Sequence, residues 1–504
     1  MRGKLKTRGP LSHAHGFHPE PPCRRQSRKR AHGGCGPDTE RQTGLRGHDD
    51  CAGLSSAPNG HFGGGMTANN ALWMRFKRGL LDRFLGREFW ALADQAIVSA
   101  TNFLTNMMLV RFMGLREFGI FALAWMSVLL VNSLQNALII APMMSIGPKQ
   151  EEKDRPSYLG AVVFQELILV FFCFVIVFVV LRTSARFFHH AELVELALPL
   201  AVSAFAYQMQ DFVRRYFFAT RQSRRALADD ALSYLTQLPI LFVLHRAAHL
   251  TSATALWVIA GTSIVGMVVG WFWVEPIEFR WEWIKSVSIR HWKVSRWLIG
   301  SSLLTWSSTN LFVIAAPIYY GPSAAGVLKA SQNLMGATHV WFQGLENVVP
   351  VETARRLRQG GVPAMLTYAR SILLKWGGLT VLFAAVMAVA PSFWLRLMYG
   401  PAMGQYGYIL RLYALLYIIL FIGAPLRACL QALEFTVPIF WSYLAMTVMA
   451  FAFAFPLARR LGLSGSLMGL IGAQVIFQGI LGVSLLLRSK KMLRELPAHY
   501  DPAV

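Results

Sequence analysis

The chain has 504 residues, a formal net charge of +23, 54% hydrophobic residues and only 15% charged residues. Soluble domains carry roughly 25% charged residues. This composition therefore excludes an ordinary water-soluble protein, because too few charges remain to solvate a long chain. The basic residues fall between apolar stretches, which points to membrane topology and away from nucleic acid as a partner.

Residues 1–70 are rich in Gly, Pro, His and Arg and hold three of the five cysteines, Cys23, Cys35 and Cys51. The run from Pro21 to Arg30 cannot bury a core and predicts a disordered basic tail. No apolar segment follows it closely enough to make a secretory signal. Translation starting at Met66 or Met74 is a second reading of this region. No CxxC or Cys/His zinc spacing occurs, so neither a metal nor a cofactor is expected.

From residue 88 onward, apolar spans recur, each of about 20 residues and long enough to cross about 30 Å of hydrocarbon. They are predicted at 89–110, 118–141, 158–181, 193–213, 227–245, 252–274, 297–319, 324–350, 371–390, 405–426, 435–457 and 464–487. The expected fold is an all-α polytopic membrane protein of about twelve transmembrane helices. Basic residues concentrate before the first span, at 149–155, 214–225, 280–296 and 355–370, at Arg427, and at 488–494. The intervening loops carry far fewer, so this set is cytoplasmic and both termini lie inside.

The two halves resemble each other at an offset of about 208 residues, the signature of a repeat. Asn102, Gly114, Gly119, Gln135 and Pro142 recur as Asn310, Gly321, Gly326, Gln343 and Pro350. Arg215 recurs as Arg427, and Ser233-Tyr234-Leu235 as Ser442-Tyr443-Leu444. Six helices per repeat preserve orientation, which implies two parallel-repeat lobes with a substrate site between them. The expected division is an N-lobe over 85–274, a cytoplasmic connector loop over 275–296, a C-lobe over 297–488 and a cytoplasmic tail over 489–504.

Polar groups in hydrocarbon are costly and mark cavities or helix contacts. On the first span Gln95, Ser99, Asn102 and Asn106 share one helical face, flanked by Asp94. The second span offers Asn132, Gln135 and Asn136, and the seventh Ser301, Thr305 and Ser308. The eighth carries Lys329, Gln332, Asn333, Gly336, His339, Gln343 and Glu346 on one side. Lys329, Lys375 and Arg411 are the basic residues within spans, and together they suggest a cationic vestibule for an anionic substrate. For Lys329, snorkelling to the outer interface is the alternative. There is no GxxxxGK[ST], HExxH or GxSxG. The longest extracytoplasmic loop, 391–405, is too short for the acid/base site of a membrane glycosyltransferase, which argues against an enzyme.

Two segments carry a family resemblance. The first is Leu92-Ala93-Asp94-Gln95, Asn102-Phe103-Leu104-Thr105-Asn106, Gly114 and Phe118-Gly119-Ile120-Phe121-Ala122-Leu123. The second is Asp211-Phe212-Val213-Arg214-Arg215-Tyr216-Phe217-Phe218-Ala219, followed by Arg221 and Asp230. They resemble the polysaccharide-transport flippases, the Wzx-type O-antigen and exopolysaccharide exporters of the multidrug/oligosaccharidyl-lipid/polysaccharide superfamily. The resemblance implies a V-shaped pair of lobes in a bacterial inner membrane. It also implies a polyprenyl-diphosphate-linked oligosaccharide as substrate, with a polysaccharide polymerase and export machinery as partners.

On that reading Lys329, Asn333, Gln343, Asn102, Asn106, Gln95, Gln135, Asn136, Lys375 and Arg411 line the cavity. Asp94 and Glu346 serve gating or ion coupling, and Arg215 and Arg427 stand at the cytoplasmic mouth. The competing reading is a multidrug or small-metabolite antiporter of the same superfamily, which would carry a compact acidic cation site within one lobe. Few intramembrane acids are expected here, chiefly Asp94, Glu166 and Glu346.

Overall fold

The computed structural model describes residues 87–188 and 191–495. The predicted basic tail over 1–70, the basic cluster ahead of the first span except Arg87, and the last nine residues lie outside the described residues. Among the described residues, eight helical stretches are long and apolar enough to cross a membrane. Three of them, Phe89–Lys149, Pro322–Val389 and Val437–Arg494, run for 61, 68 and 58 residues. At 1.5 Å per residue each exceeds about 85 Å, too long for one crossing. Each is broken by a glycine with positive φ: Gly114 (81°), Gly361 (64°) and Gly462 (62°). Dividing them there, and adding the helix Ala191–Ala219, makes twelve crossings.

In chain order these are α1 (87–113), α2 (115–146), α3 (Arg155–Phe188), α4 (Ala191–Ala219), α5 (Ser223–Arg246) and α6 (Ser252–Trp271). The second set is α7 (Trp281–Tyr320), α8 (322–359), α9 (362–389), α10 (Gly407–Ala432), α11 (437–461) and α12 (463–495). The expected all-α, twelve-helix, two-lobe membrane fold is what the chain adopts. The loop expected at 391–405 instead forms the helix Pro391–Tyr399 and the 3₁₀ turn Pro401–Tyr406.

Lipid-facing sides are apolar because no water reaches them. On α3, Leu167, Ile168, Phe171, Phe172, Ile176, Val179 and Val180 are all exposed.

The repeat is visible in the backbone. Gly114 and Gly321 end α1 and α7 with φ of 81° and 75°, values a side chain would resist. Five residues later, Gly119 and Gly326 let α2 and α8 cross in contact. A Cβ on Gly119 would lie 1.9 Å from the carbonyl oxygen of Pro322, and one on Gly326 would lie 2.4 Å from that of Leu115. Leu115 and Pro322 are themselves repeat partners, so the contact is reciprocal, as a two-fold axis along the membrane normal requires.

Around this crossing one apolar core joins both lobes, including Phe118, Val128, Phe312 and Leu328. At the opposite end the cores are separate. Ile140, Tyr158, Phe212 and Phe217 belong to the first lobe, and Leu345, Val349 and Phe421 to the second. The lobes touch at one end and part at the other, which is the V.

The stretch 275–296 departs from the expected connector loop. From Trp281 it is helical and continuous with α7. Ile284, Val287, His291 and Ser295 are buried, while Lys285, Arg290, Lys293 and Arg296 are exposed, an amphipathic pattern that packs on the first lobe. Tyr158 Oη and His291 Nε2 lie 3.1 Å apart, and Gln165 Nε2 donates to Ser288 Oγ at 3.0 Å. Pro142 has no N–H to offer the Leu138 carbonyl, and a π-helical turn spans Asn136–Ile140 just before it. The Ser295 hydroxyl donates to that carbonyl at 3.0 Å.

Candidate functional site

Between the parting lobes lies a cavity of about 550 Å³, walled by α2 and α7. Its polar lining is neutral: Asn132, Ser133 and Asn136 face Ser301, Thr305 and Asn310. Toward the glycine crossing it adjoins a second cavity of about 240 Å³, with Leu129 common to both. This apex is lined by Asn106, Trp125, Lys329, Gln332, Asn333, His339 and Tyr417, among others. Lys329 Nζ donates to Gln332 Oε1 at 3.2 Å, and Asn333 Nδ2 donates to Tyr399 Oη at 3.1 Å. Among the described residues lining these two cavities, Lys329 is the one cation and there is no carboxylate.

Asn102 and Asn106 also border a narrow cleft inside the first lobe, lined by α1, α2, α4, α5 and α6. The structure thus brings Lys329, Asn333, Asn106 and Asn136 to the central space, while Asn102 lines the cleft inside the first lobe. It places other expected lining residues elsewhere. Gln135 is fully buried inside the first lobe, donating to Glu166 Oε1 at 2.7 Å and to the Gln208 carbonyl at 2.8 Å. Lys375 is exposed on α9, and Arg411 is exposed on α10 with its Nε donating to the Ala388 carbonyl at 3.2 Å. Neither lines the cavities. Gln343 is exposed on α8. Glu346 pairs with Arg427 at 3.6 Å on the second lobe.

The first lobe also contains a charge cluster that the sequence did not reveal as one site. Arg214, counted above among loop cations, is only 12% exposed. Its Nη2 lies 2.8 Å from Asp94 Oδ2, its Nε 2.7 Å from Asp230 Oδ2 and its Nη1 3.6 Å from Asp211 Oδ1. Gln95 accepts from the same guanidinium at 3.5 Å. Arg215 points outward more and pairs with Asp211 at 3.4 Å. Asn132 donates to Asp211 Oδ2 at 3.3 Å, linking the cluster to the cavity wall.

Asp229 is fully buried, and neither of its carboxyl oxygens has a hydrogen-bond partner among the described residues. It sits against Gly266 and Gly270 of α6, where a Cβ would come within 3.4 and 2.8 Å of its Oδ1. Three carboxyls thus surround one interior guanidinium, and a fourth, Asp229, is buried next in sequence to Asp230. Arg214 balances part of this charge, and the Asp229 carboxyl lies buried without a partner among the described residues. Asp94, Asp211, Arg214 and Asp230 all stand in the two segments that carry the resemblance. What hid their meeting was separation in sequence: α4 extends to Ala219, beyond the expected end at 213, and carries Arg214 into the lobe.

No family model matches the chain, and no curated protein matches it. Among solved structures, one described as the inward-facing conformation of a multidrug resistance MATE family transporter of the MOP superfamily superposes with a TM-score of 0.65 at 12% identity. It covers 81% of this chain and 99% of that one. The outward-facing conformation of such a transporter gives 0.54 at 15% identity, covering 81% and 95%. A MOP superfamily transporter from Pyrococcus furiosus, described by the reverse polarity of its binding pocket, also gives 0.54, at 13% identity and covering 80% and 94%. The chain has the two-lobe, twelve-helix fold of the MATE transporters of the MOP superfamily.

Proposed function

We propose that this protein flips a polyprenyl-diphosphate-linked oligosaccharide across a bacterial inner membrane by alternating access. The observation that carries the reading is the polarity of the central cavity. Amides and hydroxyls suited to sugar line it, with Lys329 at the apex for an anion and no carboxylate among the described lining residues. A cationic drug would bring its charge there unbalanced.

Asn102, Asn106, Asn136 and Asn333 would bind the glycan, and Lys329 the diphosphate. The remaining expected residues take indirect roles. Gln95, Gln135 and Asp94 hold the first-lobe network through which an ion couples, and Glu346 with Arg427 braces the second lobe near the mouth. Arg215 stands near the first-lobe mouth, while Lys375, Arg411 and Gln343 would meet lipid or solvent.

With both termini cytoplasmic, the parted end faces the cytoplasm. The better superposition on the inward-facing neighbour supports that state. The lobes, 85–274 and 297–488, would rock about the Gly119–Gly326 crossing. Residues 281–296 would move with the first lobe, because they pack on α3. A polymerase would take the product on the far side.

A deletion strain complemented with variants tests the reading. Lys329→Ala should abolish surface-polysaccharide output at wild-type protein level, and Lys329→Arg should retain more than Lys329→Gln. Normal output from Lys329→Ala removes the residue from the mechanism.

One observation favours the second reading, a cation-coupled antiporter of drugs or small metabolites. The buried Asp94, Asp211, Asp229 and Asp230 form the compact acidic cluster such a carrier would need, where few acids were expected. Both readings share a coupled first lobe, and they part on the cavity. Cation-driven drug efflux in proteoliposomes without lipid-linked sugar flipping would select the antiporter.

A further inference from the structure

At the parted end of the first lobe, the α4–α5 turn borders a cavity of about 650 Å³ that shares no lining residue with the central ones. Its walls are Trp90, Glu275 and the run 221–225, which holds three arginines. The acid is already engaged: Glu275 lies 4.0 Å from Arg155 and accepts from Gln222 Nε2 at 3.4 Å. Arg225 is tied down as well, donating to the Trp273 carbonyl at 3.0 Å and to Gln222.

Arg221 and Arg224 remain exposed with no ion-pair partner among the described residues. The Arg224 guanidinium stacks 5.1 Å from the ring centroid of Trp90, whose buried indole N–H has no acceptor among the described residues. Helix α5 starts at Ser223 with no side-chain cap on its N-terminus and no acid in its first turn. Its positive dipole end therefore faces the same space uncompensated.

The second lobe supplies an internal control. Its α10–α11 turn repeats the backbone pattern bond for bond. Thr220, Arg221 and Gln222 donate to the carbonyls of Tyr216, Phe218 and Phe217. Leu433, Glu434 and Phe435 donate to those of Cys429, Gln431 and Leu430. Arg221 and Glu434 both take positive φ, 63° and 53°. The turn therefore accepts either sign of charge, and Val437 and Pro438 follow it where Arg224 and Arg225 follow the first. The fold does not require the arginines, and placing one at a positive φ adds backbone strain that glycine would relieve.

We propose that this cavity binds a diphosphate group, held by Arg221, Arg224 and the α5 N-terminus, on the side from which a lipid-linked substrate enters. That the diphosphate belongs to a lipid rests on the flippase reading; that the cavity takes a diphosphate does not. Calorimetric titration of the purified full chain in detergent, with inorganic pyrophosphate, farnesyl diphosphate and farnesol, tests it. Both diphosphates should bind and farnesol should not. Arg221→Gln with Arg224→Gln should weaken binding at least about tenfold, the scale of one or two charge-assisted hydrogen bonds. Lys375→Gln, which removes an exposed cation that lines none of these cavities, should leave pyrophosphate binding unchanged.

Arg221→Gly separates binding from a structural role, since it should raise the unfolding temperature while weakening pyrophosphate. Absence of pyrophosphate binding, or binding indifferent to both arginines, overturns the proposal. Farnesyl diphosphate binding at least about tenfold tighter than pyrophosphate supports lipid loading, and equal affinities overturn that half while the site stands. Normal polysaccharide output from Lys329→Ala would defeat the cavity reading without touching these titrations, so the two failures are distinguishable.

Discussion

Between α1, α4 and α5 of the first lobe lie Asp94, Asp211, Asp229, Asp230 and Arg214, buried and mutually close. The matching helices α7, α10 and α11 of the second lobe bury Phe312, Leu430 and Met446 in an apolar core. Both lobes share the glycine break and the reciprocal crossing. Their α4–α5 and α10–α11 turns even share the same hydrogen bonds. A backbone plan that tolerates an apolar filling in one copy does not need buried charge in the other. The shared backbone plan does not require these charges, and the proposed ion coupling would give them a use.

The comparison can be broken or sharpened in order of expected effect. Arg214→Met would strand its carboxylates, a loss of about 3–5 kcal/mol when one partner of a buried ion pair is removed. Thermal unfolding in detergent should show it, with Asp94→Asn in the same background restoring part of the loss. Unchanged stability would mean that the cluster is not held by Arg214.

Next come Gly119→Ala and Gly326→Ala, each forcing a Cβ onto a backbone carbonyl across the lobes. Each should cost about 1–3 kcal/mol through overpacking, and the two costs should be similar because the contact is reciprocal. Widely unequal losses would contradict the two-fold relation.

Ser295→Ala frees the Leu138 carbonyl beside the π-turn and should cost about 1 kcal/mol. This measures how firmly the start of α7 is held to the first lobe. The smallest effect belongs to Arg427→Gln, since its pair with Glu346 is partly solvated and worth about 0–1 kcal/mol. A larger loss would give the second lobe an electrostatic role that it otherwise lacks. Orientation has a separate check: cysteines at 322 and 358 should label from outside and inside respectively.

Much of the fold was legible because hydrocarbon leaves the chain few choices. Span length, the basic loops and the repeated glycines all follow from local rules, and Gly114 with Gly321 marked the repeat correctly. The connector was misread because an amphipathic helix lying on a lobe is too charged to register as a span and too regular to be a loop. The site was legible in part. Lys329, Asn106, Asn136 and Asn333 reached the central space as their stripes suggested. Gln135 belongs to the same polar pattern yet turns into the lobe, since periodicity gives a face without saying which neighbour covers it. Lys375 and Arg411 show the same limit.

The sequence by itself determined that this chain crosses a membrane about twelve times in two like-oriented sets of six, because backbone polar groups in lipid must be satisfied within helices. Only the tertiary structure decided that Asp94, Arg214 and Asp230, on three different helices, form one buried ionic site. It also decided that the central cavity is neutral but for Lys329. Those outcomes depend on which helix faces pack together, and a local pattern along one helix does not contain that information.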